Sequence, residues 1–251
     1  MAFSLSANNI STILLDIEGT TTPIAFVYEV LFPFARAGVR KYLENHIDEA
    51  DVRQDLSRLR EEHETDVRQR LDTPALLAGS IDTEIDSLVI YVEWLMDRDR
   101  KSRALKALQG KIWEEGYAAG KLKSQVFSDV PRSFERWREA GLNLSIFSSG
   151  STLAQKLLFA HTDVGDLTEF LAQYFDTTTG PKAEEASYRR IASALQRSVS
   201  ETLFISDVIT ELDAARAAGM KTVLCLRPGN HPQTLAHTHP TIRTFAEIDR
   251  E

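Results

Sequence analysis

The chain has 251 residues, with 29 Lys plus Arg against 37 Asp plus Glu for a formal charge of −8, and 43% apolar and 26% charged residues. At about 150 residues per domain this is one large domain, or one domain with a smaller insert, long enough to bury a core without staples. The ordinary composition excludes wholesale disorder, collagen and coiled coil. The acidic balance argues against a bare nucleic-acid or anionic-membrane binder. The single cysteine, Cys225, excludes an intramolecular disulfide, and its apolar surroundings, Thr222 to Leu226, predict that it is buried. No basic, apolar leader opens the sequence, and no apolar run approaches the roughly 18 residues needed to cross a bilayer. A cytoplasmic protein is the expectation.

Residues 10–16, Ile-Ser-Thr-Ile-Leu-Leu-Asp, form a short β-branched run stopped by Gly19 and Pro23. This predicts a buried strand. From 24 to 126 apolar residues recur at helical spacing with charges between them, and short strand-like runs are missing. The densely charged stretch 48–71 predicts a solvated helix, 85–96 a mostly buried one, and 104–120 another. From 127 the pattern alternates. Helices are expected at 131–140, 151–160, 183–197 and 211–218, and strands at 142–147, 174–176, 202–206 and 221–226. Alternation of this kind implies crossover units and a parallel sheet. The fold class is α/β, a Rossmann-like parallel sheet of residues 1–23 and 127–251, with a helical domain of residues 24–126 inserted after the first strand.

In open α/β sheets the site lies beyond the carboxyl ends of the strands. The first strand delivers Asp16 and Glu18 there. A carboxylate ending a buried strand is costly unless paired or bound to a metal, although an Asx-type turn at a strand end fits the pair equally. The second strand delivers Ser148, and Ser149-Gly150-Ser151 opens a helix. Hydroxyls and N–H groups at a helix start suit an anion, and plain N-capping suits them too. The third loop carries Lys182, a cation opposed to the macrodipole of the helix expected after it. It either holds an anion or reaches water. The fourth strand delivers Ser206 and Asp207, with Glu211 four residues on and Asp213 the less favoured partner. Taken together, hard carboxylate oxygens suit Mg²⁺, and Lys182 with a divalent ion would neutralise the crowded acids.

The ordered set Asp16-x-Glu18-Gly-Thr, Ser148, Lys182 and Ser206-Asp207 resembles the four motifs of the haloacid-dehalogenase superfamily, and the insert looks like that superfamily's cap. Glu18 departs from the usual second Asp. Three longer strings look like the enolase-phosphatases of methionine salvage: Asp16-Ile-Glu-Gly-Thr-Thr-Thr-Pro-Ile, Ser148-Ser-Gly-Ser-x-x-Ala-Gln-Lys-Leu-Leu-Phe, and Asp99-Arg-Lys-Ser-Arg-Ala-Leu-Lys-Ala-Leu-Gln-Gly-Lys-Ile-Trp. The resemblance runs nearly end to end. It implies enolisation of a diketo phosphate, then phosphate removal to give an acireductone. It implies Asp16 as nucleophile, Glu18 as acid and base, and Ser148, Ser149 and Lys182 as phosphate holders. It also implies one Mg²⁺ per chain on Asp16, Glu18 (through its backbone carbonyl) and Asp207, with Glu211 behind.

The expected partners are a small phosphate substrate, with no nucleic acid and no membrane, and the resemblance suggests a monomer. Arg100 and Lys101 are candidates to hold the enolate, against an exposed helix face. Neither His46 nor His63 stands out as its base. Phe26, Tyr28, Phe32 and Phe34 suit either a methylthio pocket or core packing. His231, His237 and His239 lie in a stretch, 228–240, read as a surface loop. Without the insert strings, a phosphatase for another ester remains open. A dehalogenase or a binding module fits the full acid and lysine set less well.

Overall fold

The computed structural model describes residues 3–232 and 236–249. Met1, Ala2 and residues 233–235 of the stretch read as a C-terminal surface loop lie outside the described residues. In chain order the elements are β1 (Phe3–Ser4), β2 (Thr12–Leu15) and α1 (Ile24–Phe26); then α2 (Phe32–His46), α3 (Ala50–Arg68), α4 (Ile81–Asp97) and α5 (Arg103–Ala118); then α6 (Val130–Glu139), β3 (Asn143–Phe147), α7 (Thr152–Ala160), β4 (Leu171–Phe175), α8 (Glu185–Ala194), β5 (Thr202–Ser206), α9 (Ile209–Ala217), β6 (Lys221–Cys225), β7 (Thr241–Ile242) and β8 (Ile248–Asp249). Two compact units result. One comprises the residues up to Glu29 and from Lys123 onward, the other Val30–Leu122.

The first unit is built on a six-stranded sheet in the order β4-β3-β2-β5-β6-β7, parallel throughout. The strands are near-continuous apolar runs because both faces are covered. All four residues of β2 and all five of β5 are buried. One face packs Leu14, Phe147, Phe204 and Leu224 against Tyr188 and Ile191 of α8 and Leu212 of α9. Elsewhere in the unit, Phe134 of α6 meets Trp137, Phe159 and Phe170, and Trp137 meets Phe245. Cys225 is fully buried. The sheet order places β2 between β3 and β5, so the first long strand is central and its carboxyl end lies between those of its neighbours.

The second unit is helical. Ser80 and Ser102 cap α4 and α5 by accepting from the Thr83 and Leu105 N–H groups. Helix α2 buries Ala35, Val39, Tyr42 and Leu43, an i, i+4, i+7, i+8 stripe. It lies close on α5 because two positions carry no side chain. A Cβ on Gly38 would stand 2.7 Å from Ile112, and one on Gly116 would stand 2.5 Å from the Phe34 ring.

The C-terminal loop differs from the sequence reading in one respect. His239 is buried, its Nδ1 sits 2.8 Å from Thr222 Oγ1 and its Nε2 3.1 Å from Asp213 Oδ1. It therefore packs against β6 rather than standing in a surface loop. Among the described residues no helix is long and apolar enough to cross a membrane.

Candidate active site

The parallel register aligns the strand ends. Leu15 pairs with Ile146 and Ile205, so Asp16 and Ser206 emerge level with each other and Ser148 one residue further along β3's exit. Asp16 is held by its own backbone, whose N–H donates to Ile205 O at 3.0 Å, and its Oδ1 accepts from the Ile17 N–H at 2.8 Å. Lys182 Nζ lies 2.7 Å from Asp16 Oδ1 and 2.7 Å from Glu211 Oε2. Ser206 Oγ lies 3.1 Å from both Asp16 Oδ2 and Glu211 Oε2, and accepts from the Val208 N–H. Glu211 thus belongs to the site. Asp213 points elsewhere, pairing with Arg216 and His239.

Asp207 is 8% exposed. A Cβ on Gly19, whose φ is +69°, would stand only 2.4 Å from Asp207 Oδ2. The loop after Asp16 and the loop after β5 therefore touch, and the contact requires glycine. Burial, then repulsion by Asp16 and Glu211, pushes the Asp207 carboxyl up to about 7. Burial and Asp16 likewise push Glu211 up to about 7, against the opposing pull of Lys182. Burial alone would lower Lys182, but Asp16 and Glu211 outweigh it and hold the ammonium firmly charged. Three carboxylates meet one ammonium, so full ionisation leaves two negative charges in a buried space. A divalent cation removes that imbalance.

The donor set suits Mg²⁺. Its side-chain donors are hard carboxylate oxygens, and Mg²⁺ is usually bound by one or two carboxylates while keeping several waters. Among the described residues there is no group of three or more His, Cys, Asp or Glu side chains that could by themselves hold a metal ion.

The Ser148 loop is held from below. The Ser148 N–H donates to Phe175 O, its Oγ accepts from the Gly150 N–H, and Gln155 Nε2 donates to Gly150 O and Phe175 O. Ser151, not Ser149, caps α7. Lys182 is not in the first turn of α8, contrary to the macrodipole argument. That helix starts at Glu185, and Lys182 lies in the preceding turn, fixed by the Tyr188 hydroxyl donating to its carbonyl at 2.6 Å.

The candidates from residues 24–126 are placed as follows. Arg100 donates to Asp66 Oδ1 at 2.7 Å, and Asp66 also accepts from the Tyr91 hydroxyl. Lys101 pairs with Asp99 at 2.8 Å and is exposed. His63 faces Pro74 O, and His46 lies between Glu49 and Glu115. Phe26 is buried, Phe32 packs on Trp113, Phe34 on Gly116, and Tyr28 is exposed.

Sequence reasoning missed Arg227 and Asn230, which follow β6. Asn230 Nδ2 donates to Gly19 O at 2.9 Å, and Arg227 Nε donates to Thr20 O at 3.0 Å. The strand-end rule applied to β6 would have found them.

The sequence model of the haloacid dehalogenase-like hydrolases matches residues 10–219. Enolase-phosphatase E1 of Synechococcus elongatus is 48% identical over 240 residues, covering 96% of this chain and 98% of that protein. The chain belongs to the enolase-phosphatases of the haloacid dehalogenase-like hydrolases. Enolase-phosphatase E1 of Drosophila melanogaster is 44% identical, covering 87% of this chain and 84% of its own. The crystal structure of the UTR4 protein of Saccharomyces cerevisiae superposes with a TM-score of 0.74 at 33% identity, covering 94% of this chain and 98% of that one. The enzyme class is that of a phosphatase, and the site residues described above all fall within or just after the matched segment.

Proposed function

We propose that the enzyme converts 2,3-diketo-5-methylthiopentyl-1-phosphate into the acireductone 1,2-dihydroxy-3-keto-5-methylthiopentene and phosphate, in methionine salvage. The observation that carries this reading is the buried Lys182 bridging Asp16 and Glu211 beside Asp207, in a chain so similar to enolase-phosphatases. The first step is an isomerisation. A proton leaves C1, the carbonyl oxygen on C2 gains one, and an enol phosphate results. In the second step an Asp16 oxygen attacks phosphorus, the ester P–O bond breaks, and Glu18 gives its proton to the leaving oxygen. In the third, water attacks the aspartyl-phosphate, Glu18 takes a proton from it, and Asp16 and phosphate are released. Ser148, Ser149 and Lys182 hold the phosphate oxygens, and stabilising charge on that group is the main task. Asp16, Asp207 and the Glu18 carbonyl would hold one Mg²⁺ per chain, which supplies neutralising charge beside the phosphoryl group. We take the working unit to be a single chain.

An anaerobic assay tests this. Acireductone absorbance and phosphate should rise together with Mg²⁺, stop with chelator, and Asp16→Asn should release no phosphate. Phosphate release undiminished in Asp16→Asn removes the nucleophile. Inactivity on the diketo phosphate beside activity on other esters removes the substrate.

A further inference from the structure

The loop Ile17–Thr22 carries Glu18 and is a single tight turn. The N–H groups of Thr20, Thr21 and Thr22 converge on Ile17 O, and the Gly19 N–H donates to Thr22 O. Internal bonds of this kind fix the turn's shape but not its aim. The aim comes from outside, through three consecutive carbonyls. Gly19 O accepts from Asn230 Nδ2 at 2.9 Å, Thr20 O from Arg227 Nε at 3.0 Å, and Thr21 O from the Phe127 N–H at 3.0 Å.

Arg227 is itself over-determined. It is 6% exposed. Its Nη1 lies 2.9 and 2.8 Å from the two oxygens of Asp129, and it also reaches Arg243 O. Its guanidinium is sandwiched between the Phe127 and Phe245 rings, 4.5 Å from each centroid. Asp129 Oδ2 accepts in turn from the Phe245 N–H at 2.6 Å. A planar guanidinium with a donor on each edge can face a carbonyl and a carboxylate at once and stack on rings, which an ammonium cannot. Burying a charge is costly unless it is well paired, and here Asp129 supplies the pair.

We propose that Arg227 and Asn230 are positioning residues that aim Glu18 for the proton transfers at the phosphoryl group, with Asp129 as the anchor of Arg227. The inference rests on the reading of Glu18 as the acid and base. Neither residue needs to touch the substrate. Their loss leaves Asp16, Ser148 and Lys182 in place and loosens the turn between Asp16 and Thr22. Both half-reactions use Glu18, but the leaving oxygen belongs to an enol conjugated with the C3 carbonyl and departs as a stabilised enolate, whereas the attacking water must give up a proton. Hydrolysis of the aspartyl-phosphate therefore slows more than its formation. The phosphoenzyme accumulates.

The test uses the full chain with Mg²⁺ and the diketo phosphate, comparing wild type with Asn230→Ala, Arg227→Lys and Glu18→Gln. The readouts are kcat, KM, thermal midpoint, and the fraction of acid-quenched enzyme carrying a phosphoryl adduct by intact mass. Both clamp variants should lose about 10- to 100-fold in kcat, a part of the roughly 10²- to 10⁴-fold that general acid–base catalysis contributes. KM should move less than threefold, and most of the enzyme should carry the adduct, as in Glu18→Gln. Asn230→Ala, whose side chain lies at the rim of the clamp, keeps the test alive if Arg227→Lys fails to fold. Variants with unchanged kcat, or with kcat lowered in step with the thermal midpoint and no adduct, overturn the proposal. If Glu18→Gln accumulates no adduct, the role given to Glu18 fails, not the clamp alone. If Asp16→Asn still releases phosphate, the phosphatase reading fails before either.

Discussion

Gly19 offers the sharpest single perturbation. It sits at φ +69° with Asp207 Oδ2 and Cγ 2.4 and 2.8 Å from where a Cβ would be, and Asn230 Nδ2 at 3.0 Å. Gly19→Ala therefore meets two obstacles. The left-handed backbone costs about 1–2 kcal/mol for a residue with a Cβ, partly offset by about 0.4–1 kcal/mol from a stiffer unfolded chain. The steric obstacle is larger. Ordinary contact lies near 3.5 Å, so the Asp207 carboxylate must move by roughly 1 Å. Misplacement on that scale costs about 100-fold in rate. With overpacking adding about 1–3 kcal/mol, Gly19→Ala should thus lose about 1–4 kcal/mol in urea unfolding, about 100-fold in phosphate release, and need more Mg²⁺ for half-maximal rate. The check is a Mg²⁺ titration of phosphate release beside an unfolding curve. A variant within threefold of wild type in rate and Mg²⁺ requirement would refute the placement of Asp207 against this turn.

Two further outcomes follow from charge. The folded carboxyls of Asp207 and Glu211 are raised, each to about 7, from ordinary values of 3.8 and 4.5, by burial first and Asp16 next. Their contribution to stability is present below those ordinary values and is lost as pH rises through about 7. Metal-free enzyme should therefore melt at a lower temperature at pH 8 than at pH 6. Excess Mg²⁺ should restore the loss by mass action, and Asp207→Asn should flatten the profile; a flat wild-type profile in chelator contradicts the buried acid cluster. His46 is the second case. Its hydrogen bond to Glu49 raises its pKa against burial, which lowers it, and the bond to Glu115 adds to the rise. The stability it contributes is complete below its ordinary 6.5 and fades as pH rises through the raised value. Proton NMR of the imidazole should give a midpoint above 6.5, abolished by Glu49→Gln with Glu115→Gln, and a midpoint at or below 6.5 speaks against the bracketed geometry.

Much of the fold was legible because strands here are buried on both faces. The run ending at Asp16 and the strand 202–206 announce themselves as unbroken apolar segments. Strand β4 was read late and short, since it lies at the sheet edge and two of its five residues, Ala172 and Gln173, are exposed. The two-residue β7 and the β1–β8 pair leave no periodicity to detect. At the site, Asp16, Ser148, Lys182 and Asp207 could be named because each follows an apolar run. Lys182 does not oppose a helix dipole from within the first turn, because the Ser187 and Tyr188 hydroxyls hold the Pro181 and Lys182 carbonyls in a turn ahead of the helix, which starts at Glu185. Arg227 and Asn230 act on backbone carbonyls more than 200 residues away in sequence, and such contacts leave no local pattern. His239 escaped for a similar reason, since its burial depends on Thr222 and Asp213.

The central position of β2 has a consequence for how the molecule is made. β2 starts at Thr12, but its neighbours start at Asn143 and Thr202. At a synthesis rate of about 5–20 residues per second, the first of these emerges some 7–26 s after β2, and the second later still. Throughout that interval Thr-Ile-Leu-Leu is an apolar strand with no sheet to join. The helical unit, Val30–Leu122, is wholly synthesised before β3 and can close during the wait. The sheet, rich in long-range pairings, forms only near the end of translation. A ribosome stalled between residues 120 and 140 therefore leaves this strand without either sheet partner for as long as the stall lasts.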